Sequence, residues 1–319
     1  MSRPTWRRRF SRPAVAALLI TWIAAGATDA VDGAGGPEAG PTARRVLEVG
    51  YSSELLPRVD LDDARAATSA WISHLVEKTR VQASTDVRYY DEAAAILRSL
   101  EARTADLLVL SPLQYLEIRA TPLLRPIFIS SLDGHVGKCY VLLSRQDSGI
   151  DALGALRSKR ILIHQSGLGT VSQVWLGTSL LRRGLPEGAA FFASQEVVER
   201  ASAAVLPVLF RQADACLIAL HEYEAMCQLN PQLGADLREI GRSPRFARGP
   251  ICLRPELYEE LSSVFDESIL SLHADPRGRQ MLALFGVDRV VPFEPHYLES
   301  LVSLVEEYAQ LRASGVRPR

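Results

Sequence analysis

The amino-acid sequence predicts an α/β protein of two lobes, in which parallel-type sheets are flanked by helices. Short apolar runs alternate with amphipathic helical patterns, which is the order that builds βαβ units. This alternation occurs in two series that meet near the middle of the chain and are followed by a helical tail. The 319 residues are 47% hydrophobic and exceed what one hydrophobic core usually holds. We therefore expect two lobes rather than one.

The elements of the two series follow from the spacing of apolar residues. The first series is predicted to contain strand 46–49, helix 62–79, strand 81–90, helix 92–103 and strands 106–110, 127–129 and 139–143. The second is predicted to contain strand 160–164, helix 170–183, strand 189–192, helix 196–211 and strand 214–220. After a strand at 251–253, helices are predicted at 256–274, 276–285 and 296–313.

The N-terminal segment, 1–30, has the layout of a secretory signal peptide. Five arginines precede an apolar run at 14–24 that is too short to span a bilayer comfortably, and small residues follow at 25–27. We expect cleavage after Ala27 or Ala30, a flexible Gly- and Pro-rich leader at 31–45, and export to the periplasm. An uncleaved membrane anchor is the alternative. The first cysteine is Cys139, so no thiol near the cleavage site could carry a lipid, and we expect no lipoprotein.

Charge and motif content argue against several functions. Lys and Arg number 36 against 37 Asp and Glu, so no overall basic field exists to hold nucleic acid. The six histidines are scattered and no Cys-x-x-Cys occurs, so neither a metal site nor a cofactor is predicted. No Gly-x-Ser-x-Gly surrounds Ser166 and no His-Glu-x-x-His exists, so we do not expect an enzyme. A periplasmic hydrolase on an α/β scaffold is the alternative from a different class.

Several segments together carry a resemblance to a known family. Residues 137–163 (GKCYVLLSRQDSGIDALGALRSKRILI) resemble the crossing strand, helix and following strand of periplasmic binding proteins of the type II fold. Residues 205–218 (VLPVLFRQADACLI), 230–234 (NPQLG) and 242–244 (RSP) resemble the phosphate/phosphite/phosphonate-binding family of ABC transporters. The similarity covers about 46–293.

The resemblance implies a domain organisation and a function. Members of this family have two lobes joined by two crossing strands and bind an oxyanion in the cleft between them. Here it implies crossing strands at 138–143 and 250–253, with lobe 1 at 46–137 plus 254–319 and lobe 2 at 144–249. We expect a monomer that captures a small oxyanion, such as phosphate or phosphonate, and delivers it to an ABC permease. The alternative is a sensing subunit that presents a bound oxyanion, including arsenic oxyanions, to a membrane sensor kinase.

On lobe 2, the best candidate for an anion site is the loop 164–173 (HQSGLGTVSQ), between a predicted strand and a predicted helix. Hydroxyls at Ser166, Thr170 and Ser172, together with the unpaired N–H groups of a helix start, could bind an oxyanion. Phosphonate binders of the family have a Ser-Thr-Ser cluster followed by Gly here, whereas these three hydroxyls are spread along the loop. The alternative is an ordinary helix N-cap.

Other candidates stand at strand ends or match a family position. Tyr51 and Ser52 follow the first strand, and Ser111 and Tyr115 follow strand 106–110, where open α/β sheets bind ligands. For each tyrosine the alternative is a half-buried strand-end aromatic. Asp214 matches an Ala-Asp-Ala position of the family, where a carboxylate could face an amino group or a protonated oxyanion. The alternative is capping at a strand start.

The four cysteines leave two alternatives open. Cys139 and Cys252 each fall on one expected crossing segment and could form a disulfide in an oxidising compartment, which would leave Cys216 and Cys227 as the other pair. Alternatively, the cysteines are thiols packed as small apolar residues.

Overall fold

The protein is described by a computed structural model over residues 46–55, 69, 82–83, 87–165 and 168–314. The predicted signal peptide, the leader and nearly all of the predicted helix 62–79 lie outside the described residues. So does Ser166.

The strands and helices of these residues alternate as an α/β protein requires. The strands are β1 (Val46–Leu47), β2 (Val49–Ser52), β3 (Gln82–Ala83), β4 (Arg88–Tyr90), β5 (Leu107–Val109), β6 (Arg125–Ser131), β7 (Gly137–Lys138), β8 (Tyr140–Arg145), β9 (Arg160–His164), β10 (Ser194–Val198), β11 (Ala215–Ala219), β12 (Leu237–Arg242), β13 (Phe246–Ala247), β14 (Pro250–Leu253) and β15 (Arg289–Pro292). The helices are α1 (Ala93–Glu101), α2 (Pro112–Ile118), α3 (Val171–Leu181), α4 (Ala201–Leu209), α5 (Leu220–Leu229), α6 (Gln232–Asp236), α7 (Pro255–Leu270), α8 (Pro276–Leu284) and α9 (Glu299–Ala313).

Two larger sheets organise the fold. The first has six strands in the order β15-β6-β14-β5-β2-β4, and the second has five in the order β10-β9-β11-β8-β12. Both sheets are mixed. In the first sheet, β4, β2 and β5 run parallel to one another, while β14, β6 and β15 are joined by antiparallel pairing. In the second sheet, β10, β9 and β11 run parallel, while β8 and β12 are joined by antiparallel pairing. The antiparallel strands lie where the chain leaves or re-enters a sheet.

Helices pack on the faces of each sheet, so central strands such as β11 and β14 are fully buried. Apolar side chains of α7 and α8 pack on one face of the first sheet, and those of α4 and α6 pack on one face of the second. The remaining faces share one continuous core that includes Tyr115, Tyr140, Trp175 and Phe246. Burial of this apolar area is the main favourable contribution to folding.

A two-stranded antiparallel ribbon lies between the two large sheets in the chain. Strand β7 pairs with β13, with Lys138 opposite Phe246 and Gly137 opposite Ala247. β7 follows the first-sheet strand β6 and precedes the second-sheet strand β8, whereas β13 follows β12 and precedes β14. The two passages of the chain from one sheet to the other are therefore hydrogen-bonded to each other.

The C-terminal helix α9, which we expected within lobe 1, packs against α3 beside the second sheet. Arg182 of α3 forms a two-pronged ion pair with Glu307 of α9. The Tyr308 hydroxyl donates to Glu187 over 3.0 Å, and Arg312 lies 3.3 Å from the same carboxylate. The chain thus returns to the second sheet after completing the first.

The predicted alternation of strands and helices and the two large sheets are present, although individual elements differ. Residues 189–192 were predicted to be a strand, but Gly188–Ala190 is a 3-10 turn and the strand is β10. The prediction failed because Phe191 and Phe192 fill the core as an edge-to-face pair, while β10 is an exposed edge strand with little apolar signal. Strands β12 and β15 were not predicted for a similar reason, since most of their side chains are at least partly exposed.

None of the described helices is long and apolar enough to cross a bilayer.

All four cysteines are free thiols, so the Cys139–Cys252 disulfide that we considered is not formed, and the packed-thiol alternative describes the structure. Cys252 lies within the first sheet with its sulfur 3.9 Å from the Pro250 carbonyl, whereas Cys139 joins β7 to β8.

Candidate functional site

The ribbon brings the carboxyl ends of strands from both sheets close together. Gly249, just beyond β13, passes so near the end of β5 that a Cβ on it would lie 1.8 Å from the Leu110 carbonyl oxygen. On the other side, Leu220 at the start of α5 donates its N–H to the Cys139 carbonyl over 2.8 Å. Because the carboxyl ends of parallel strands are the usual binding edge of open α/β sheets, this is where a ligand site is expected.

Five charged or titratable residues meet at this place, and we call them the basic cluster: Lys138, His164, His221, Glu222 and Arg248. Lys138 Nζ and His221 Nε2 each lie 3.9 Å from Glu222 Oε1. Arg248 is near enough for its charge to lower the pKa of both Lys138 and His221. Glu222 is the carboxylate at the centre of this group, while Asp133 and Asp288 act on His221 and Arg248 from farther away.

His164 ends β9 and is held between two acceptors. Its Nδ1 lies 2.8 Å from Glu222 Oε2, close enough for an ion pair although the two atoms are not aligned as a regular hydrogen bond. Its Nε2 lies 3.1 Å from the Glu199 carbonyl oxygen. Both oxygens are acceptors, so each ring nitrogen of His164 faces a hydrogen-bond acceptor.

The carboxyl of Glu222 stays ionised in this environment. Burial opposes its ionisation, but His164, Lys138 and His221 together outweigh that effect and hold the pKa of Glu222 below its usual value. Glu222 is thus the carboxylate in direct contact with Lys138, His164 and His221 of the basic cluster.

Lys138 carries a positive charge that the protein solvates poorly. Its side chain is only 9% exposed, and burial, reinforced by the Arg248 charge, lowers its pKa to about 8, an effect that Glu222 offsets only in part. Arg248 is also partly desolvated: its Nη2 donates to the Gly286 carbonyl over 3.1 Å, while its buried Nε has no hydrogen-bond partner among the described residues. An anion bound here would stabilise both cations.

The edge of the first sheet near Gly249 carries several buried polar groups. Ser111 caps α2, and its Oγ accepts from the N–H of Gln114 over 3.2 Å. The Gln114 amide nitrogen donates to the Asp91 carbonyl over 2.9 Å. Within the described ranges, no hydrogen-bond partner is found for the buried oxygens Ser52 Oγ, Glu54 Oε2 and Gln114 Oε1. This edge therefore carries buried polar atoms whose hydrogen-bonding capacity is not used by the described residues.

Two of the predicted site residues have side chains in the apolar cores. The Tyr51 ring lies 6.4 Å from Phe285 and 6.5 Å from Tyr89, and burial raises the pKa of Tyr51 far above its usual value. The Tyr115 ring packs edge-to-face on Phe293 at 6.2 Å, and burial raises its pKa to about 12. Tyr51 and Tyr115 are 4% and 6% exposed, so both are more buried than the half-buried strand-end aromatic of the alternative, and their role at a ligand stays a prediction. Ser52 and Ser111, in contrast, are buried at the strand ends as expected.

The predicted anion loop has two described hydroxyls in different environments. Ser172 is buried in the first turn of α3. Thr170 precedes that helix but makes no side-chain cap, and it lines a cavity of about 390 Å³ with Gln173, Glu187 and Tyr308, beside the C-terminal helix. The structure therefore does not place these two hydroxyls together.

Asp214 lies at the opposite edge of the second sheet. It precedes β11, its Oδ2 accepts the Arg160 N–H over 2.8 Å, and its Oδ1 lies 3.6 Å from Lys159 Nζ. These contacts are at the amino ends of β9 and β11, whereas His164 ends β9 at the other edge. Asp214 thus has the partners of a strand-start cap and is not brought together with the basic cluster.

Four members of the basic cluster, Lys138, His221, Glu222 and Arg248, were not predicted as site residues, and His164 was noted only as the start of the loop. Open α/β sheets bind ligands at the carboxyl ends of their parallel strands, which we call the strand-end rule. Applied to β11, this rule would have pointed to Glu222, the third residue after that strand. Lys138 and Arg248 lie in the connecting ribbon, where no sequence motif marks a binding residue. Among the residues described, no group of three or more His, Cys, Asp and Glu could hold a metal ion.

Two mixed sheets joined by a paired ribbon match the type II fold of periplasmic binding proteins, which confirms the predicted fold class. The sequence profile described as "ABC transporter, phosphonate, periplasmic substrate-binding protein" matches residues 54–298. The chain belongs to this family of periplasmic substrate-binding proteins.

Solved structures of similar fold support the same classification. A binding-protein component of a phosphonate ABC transporter from Pseudomonas aeruginosa is 14% identical with a TM-score of 0.59, over 85% of this chain and 89% of that one. PhnD1 of Prochlorococcus marinus, solved with methylphosphonate, is 16% identical with a TM-score of 0.59, over 83% and 98%. A Xanthomonas citri protein solved with ATP is 17% identical with a TM-score of 0.61, over 84% and 98%. No curated protein sequence matches the chain significantly.

Proposed function

We propose that this protein binds a small phosphonate or closely related oxyanion at the basic cluster and delivers it to the permease of an ABC transporter. The observation that carries this proposal is the close grouping of Lys138, His164, His221 and Arg248 around the Glu222 carboxylate, with Asp133 and Asp288 acting from farther away. A buried cation is costly to desolvate, and a bound anion would add counter-charge to this group. The family membership and the relative solved with methylphosphonate support the choice of ligand class.

The ribbon of β7 and β13 is the proposed hinge of this binding step. Lobe 1 comprises the first sheet and its helices, lobe 2 comprises the second sheet and its helices, and an anion between them would be contacted from both sides. Lys138 and Arg248 lie at the ribbon itself, while His164 and Glu222 belong to lobe 2. Closure would then be favoured by contacts that exist only with ligand bound.

Calorimetry on the mature exported chain tests the binding step. Methylphosphonate, phosphite and phosphate are titrated, with sulfate for comparison, into the wild type, His164→Ala and a control, His296→Ala. His296 is an exposed histidine that pairs with Glu294 over 3.1 Å, so it matches His164 in type but not in place. We expect at least one phosphorus oxyanion to bind the wild type, a loss of about tenfold or more in His164→Ala, and no change in the control.

Two results would contradict the proposal. One is the absence of binding for every phosphorus oxyanion tested. The other is an equal affinity in the wild type and His164→Ala. Delivery is tested separately by adding the ligand-loaded protein to its reconstituted permease, where ATP hydrolysis should rise. Activation of a membrane sensor kinase without such a rise would favour a sensing role instead.

A further inference from the structure

A cavity beside the second sheet lies apart from the basic cluster. Its volume is about 390 Å³, and its walls come from α3, from the segment 187–192 before β10, from Gln195 of β10 and from Tyr308 of α9. Among its described lining residues, none belongs to the basic cluster. Pockets of about 300–1,000 Å³ hold small organic ligands in many proteins, so this cavity has room for one.

Gly177, in the middle of α3, makes room for one wall of this cavity. A Cβ on Gly177 would lie 2.5 Å from Glu187 Oε2 and 3.1 Å from the Tyr308 ring. Glycine inside a helix is less favourable than alanine, so its presence here has a packing reason. The missing side chain allows the Glu187 carboxylate and the Tyr308 ring to lie directly against the helix.

Glu187 gives this wall a negative charge, and it is the one charged residue among the described residues that line the cavity. Its carboxylate accepts a hydrogen bond from the Tyr308 hydroxyl over 3.0 Å and lies 3.3 Å from Arg312 Nε. The Arg312 side chain is 62% exposed, so water screens this ion pair. A carboxylate has about four lone-pair positions, so Glu187 can accept further hydrogen bonds from a ligand.

Aromatic and aliphatic side chains form much of the remaining wall. Leu180 and Phe192, which are 0% and 3% exposed, line its inner part. The Tyr308 ring already lies 5.6 Å from the Arg312 guanidinium, and aromatic rings of this kind attract cations. A carboxylate beside aromatic and aliphatic groups suits a ligand that has a positively charged head and a short apolar body.

We propose that this cavity binds a small organic ammonium compound, with the ammonium group at Glu187 and the apolar part against Leu180 and Phe192. The ammonium group donates to the Glu187 carboxylate, and the apolar part is removed from water. This site takes a ligand of opposite charge to that of the basic cluster. The inference therefore goes beyond the proposed function and does not depend on it.

Butylammonium and 1-butanol form a matched pair of probes, because they have the same apolar chain and differ in the charge of the head group. Each is titrated into the mature exported chain without any phosphorus oxyanion, and binding is followed by saturation-transfer NMR. We expect saturable binding of butylammonium that is about tenfold or more tighter than that of 1-butanol. His164→Ala, which changes the basic cluster, should bind butylammonium as the wild type does.

Two variants test the wall itself. Glu187→Gln keeps an oxygen that can accept from the Tyr308 hydroxyl but removes the charge, so the affinity for butylammonium should fall by about tenfold or more while that for 1-butanol changes little. Gln195→Trp places a larger side chain at an exposed lining position and should weaken binding of both probes. The control is Glu196→Gln, since Glu196 is an exposed glutamate that pairs with Arg160 over 2.9 Å and does not line the cavity.

The wild type alone can overturn the inference. Absence of saturable butylammonium binding, or equal affinity for the two probes, would show that the cavity does not select an ammonium group. Unchanged butylammonium affinity in Glu187→Gln or in Gln195→Trp would contradict it as well. A thermal unfolding midpoint identifies any variant that fails to fold, and the wild-type comparison still decides in that case. Oxyanion binding is tested by separate titrations, so either proposal can fail while the other stands.

Discussion

Two groups of buried charged residues in this protein differ in the balance between acidic and basic side chains. Asp106, just before β5, and Arg254, just before α7, form an ion pair at 2.5 Å, with side chains only 6% and 8% exposed. The other Asp106 oxygen accepts the Glu48 N–H over 3.0 Å, so this group has one acid, one base and a backbone donor. The basic cluster is buried to a similar degree at Lys138 and His164, but it has several cationic groups around one acid.

The comparison separates a structural ion pair from a binding site. In the Asp106–Arg254 pair one acid balances one base and ties β5 to the start of α7, although Arg254 Nε and Nη1 have no hydrogen-bond partner among the described residues. In the basic cluster four basic groups surround the Glu222 carboxylate, and burial, together with the Arg248 charge, lowers the pKa of Lys138 to about 8. Burial alone does not distinguish the two groups, whereas charge balance does.

The largest effect is expected when the balanced pair is broken. Asp106→Asn keeps the shape of the side chain but leaves Arg254 as a buried, uncompensated charge. We expect this change to lower the free energy of unfolding by about 3–5 kcal/mol, measured by urea denaturation. The affinity for methylphosphonate of the folded fraction should not change, because the pair lies away from the basic cluster.

Asp147→Asn is the matched control for this change. Asp147 is an exposed aspartate that contacts Arg145 over 2.7 Å and Arg211 over 2.5 Å, and surface pairs contribute little to stability. A loss of stability in Asp147→Asn equal to that in Asp106→Asn would show that burial is not the cause.

An intermediate effect is expected from the titration of Lys138. Since its folded pKa is about 8 and its ordinary value is 10.5, Lys138 becomes neutral in the free protein above about pH 8. An anion requires the protonated form, so the affinity for methylphosphonate should fall by roughly tenfold per pH unit between about pH 8 and the pKa of the complex. Calorimetry from neutral to alkaline pH measures this slope.

The same lysine affects the stability of the free protein in the opposite direction. Between about pH 8 and 10.5 the unfolded chain holds a proton on Lys138 that the folded protein has lost, so this group makes folding more favourable as the pH rises. Lys138→Met should remove both pH effects, whereas the control Lys159→Met should keep them. An affinity that is independent of pH in the wild type would contradict a role for Lys138 in anion binding.

The smallest effect is expected at Asp214, on the far edge of the second sheet. Asp214→Asn keeps an oxygen that can accept the Arg160 N–H and loses only a half-exposed ion pair with Lys159. We expect the free energy of unfolding to change by less than about 1 kcal/mol and the affinity for methylphosphonate to change by less than about twofold. A marked change in ligand preference would indicate that Asp214 contacts the ligand, which would argue against the basic cluster as the binding site.

Much of the fold could be predicted because local patterns are consistent with it. The apolar run of β9, the helical periodicity of α3 and the buried run of β11 each correspond closely to a predicted element. The missed strands β10, β12 and β15 have many exposed side chains, so their pairing depends on neighbours far away in the sequence.

The candidate site was predictable only in part. Ser52 and Ser111 are at strand ends, as the strand-end rule requires, but the same rule selected Tyr51 and Tyr115, whose side chains pack in the apolar cores. Sequence spacing does not show on which side of a strand end a side chain lies. It also gave Asp214 a possible role at the ligand, although this residue lies at the opposite edge from His164.

The sequence by itself determined the alternation of strands and helices, the two series of elements and the family resemblance, since each depends on residues that are close together in the chain. Tertiary structure decided which charged groups share a site. Lys138, His164, Glu222 and Arg248 are separated by up to 110 positions, and they meet only because the ribbon pairs 137–138 with 246–247 beside the ends of β9 and β11. The lowered pKa of Lys138 has the same origin, because desolvation and neighbouring charges arise only when distant segments pack together.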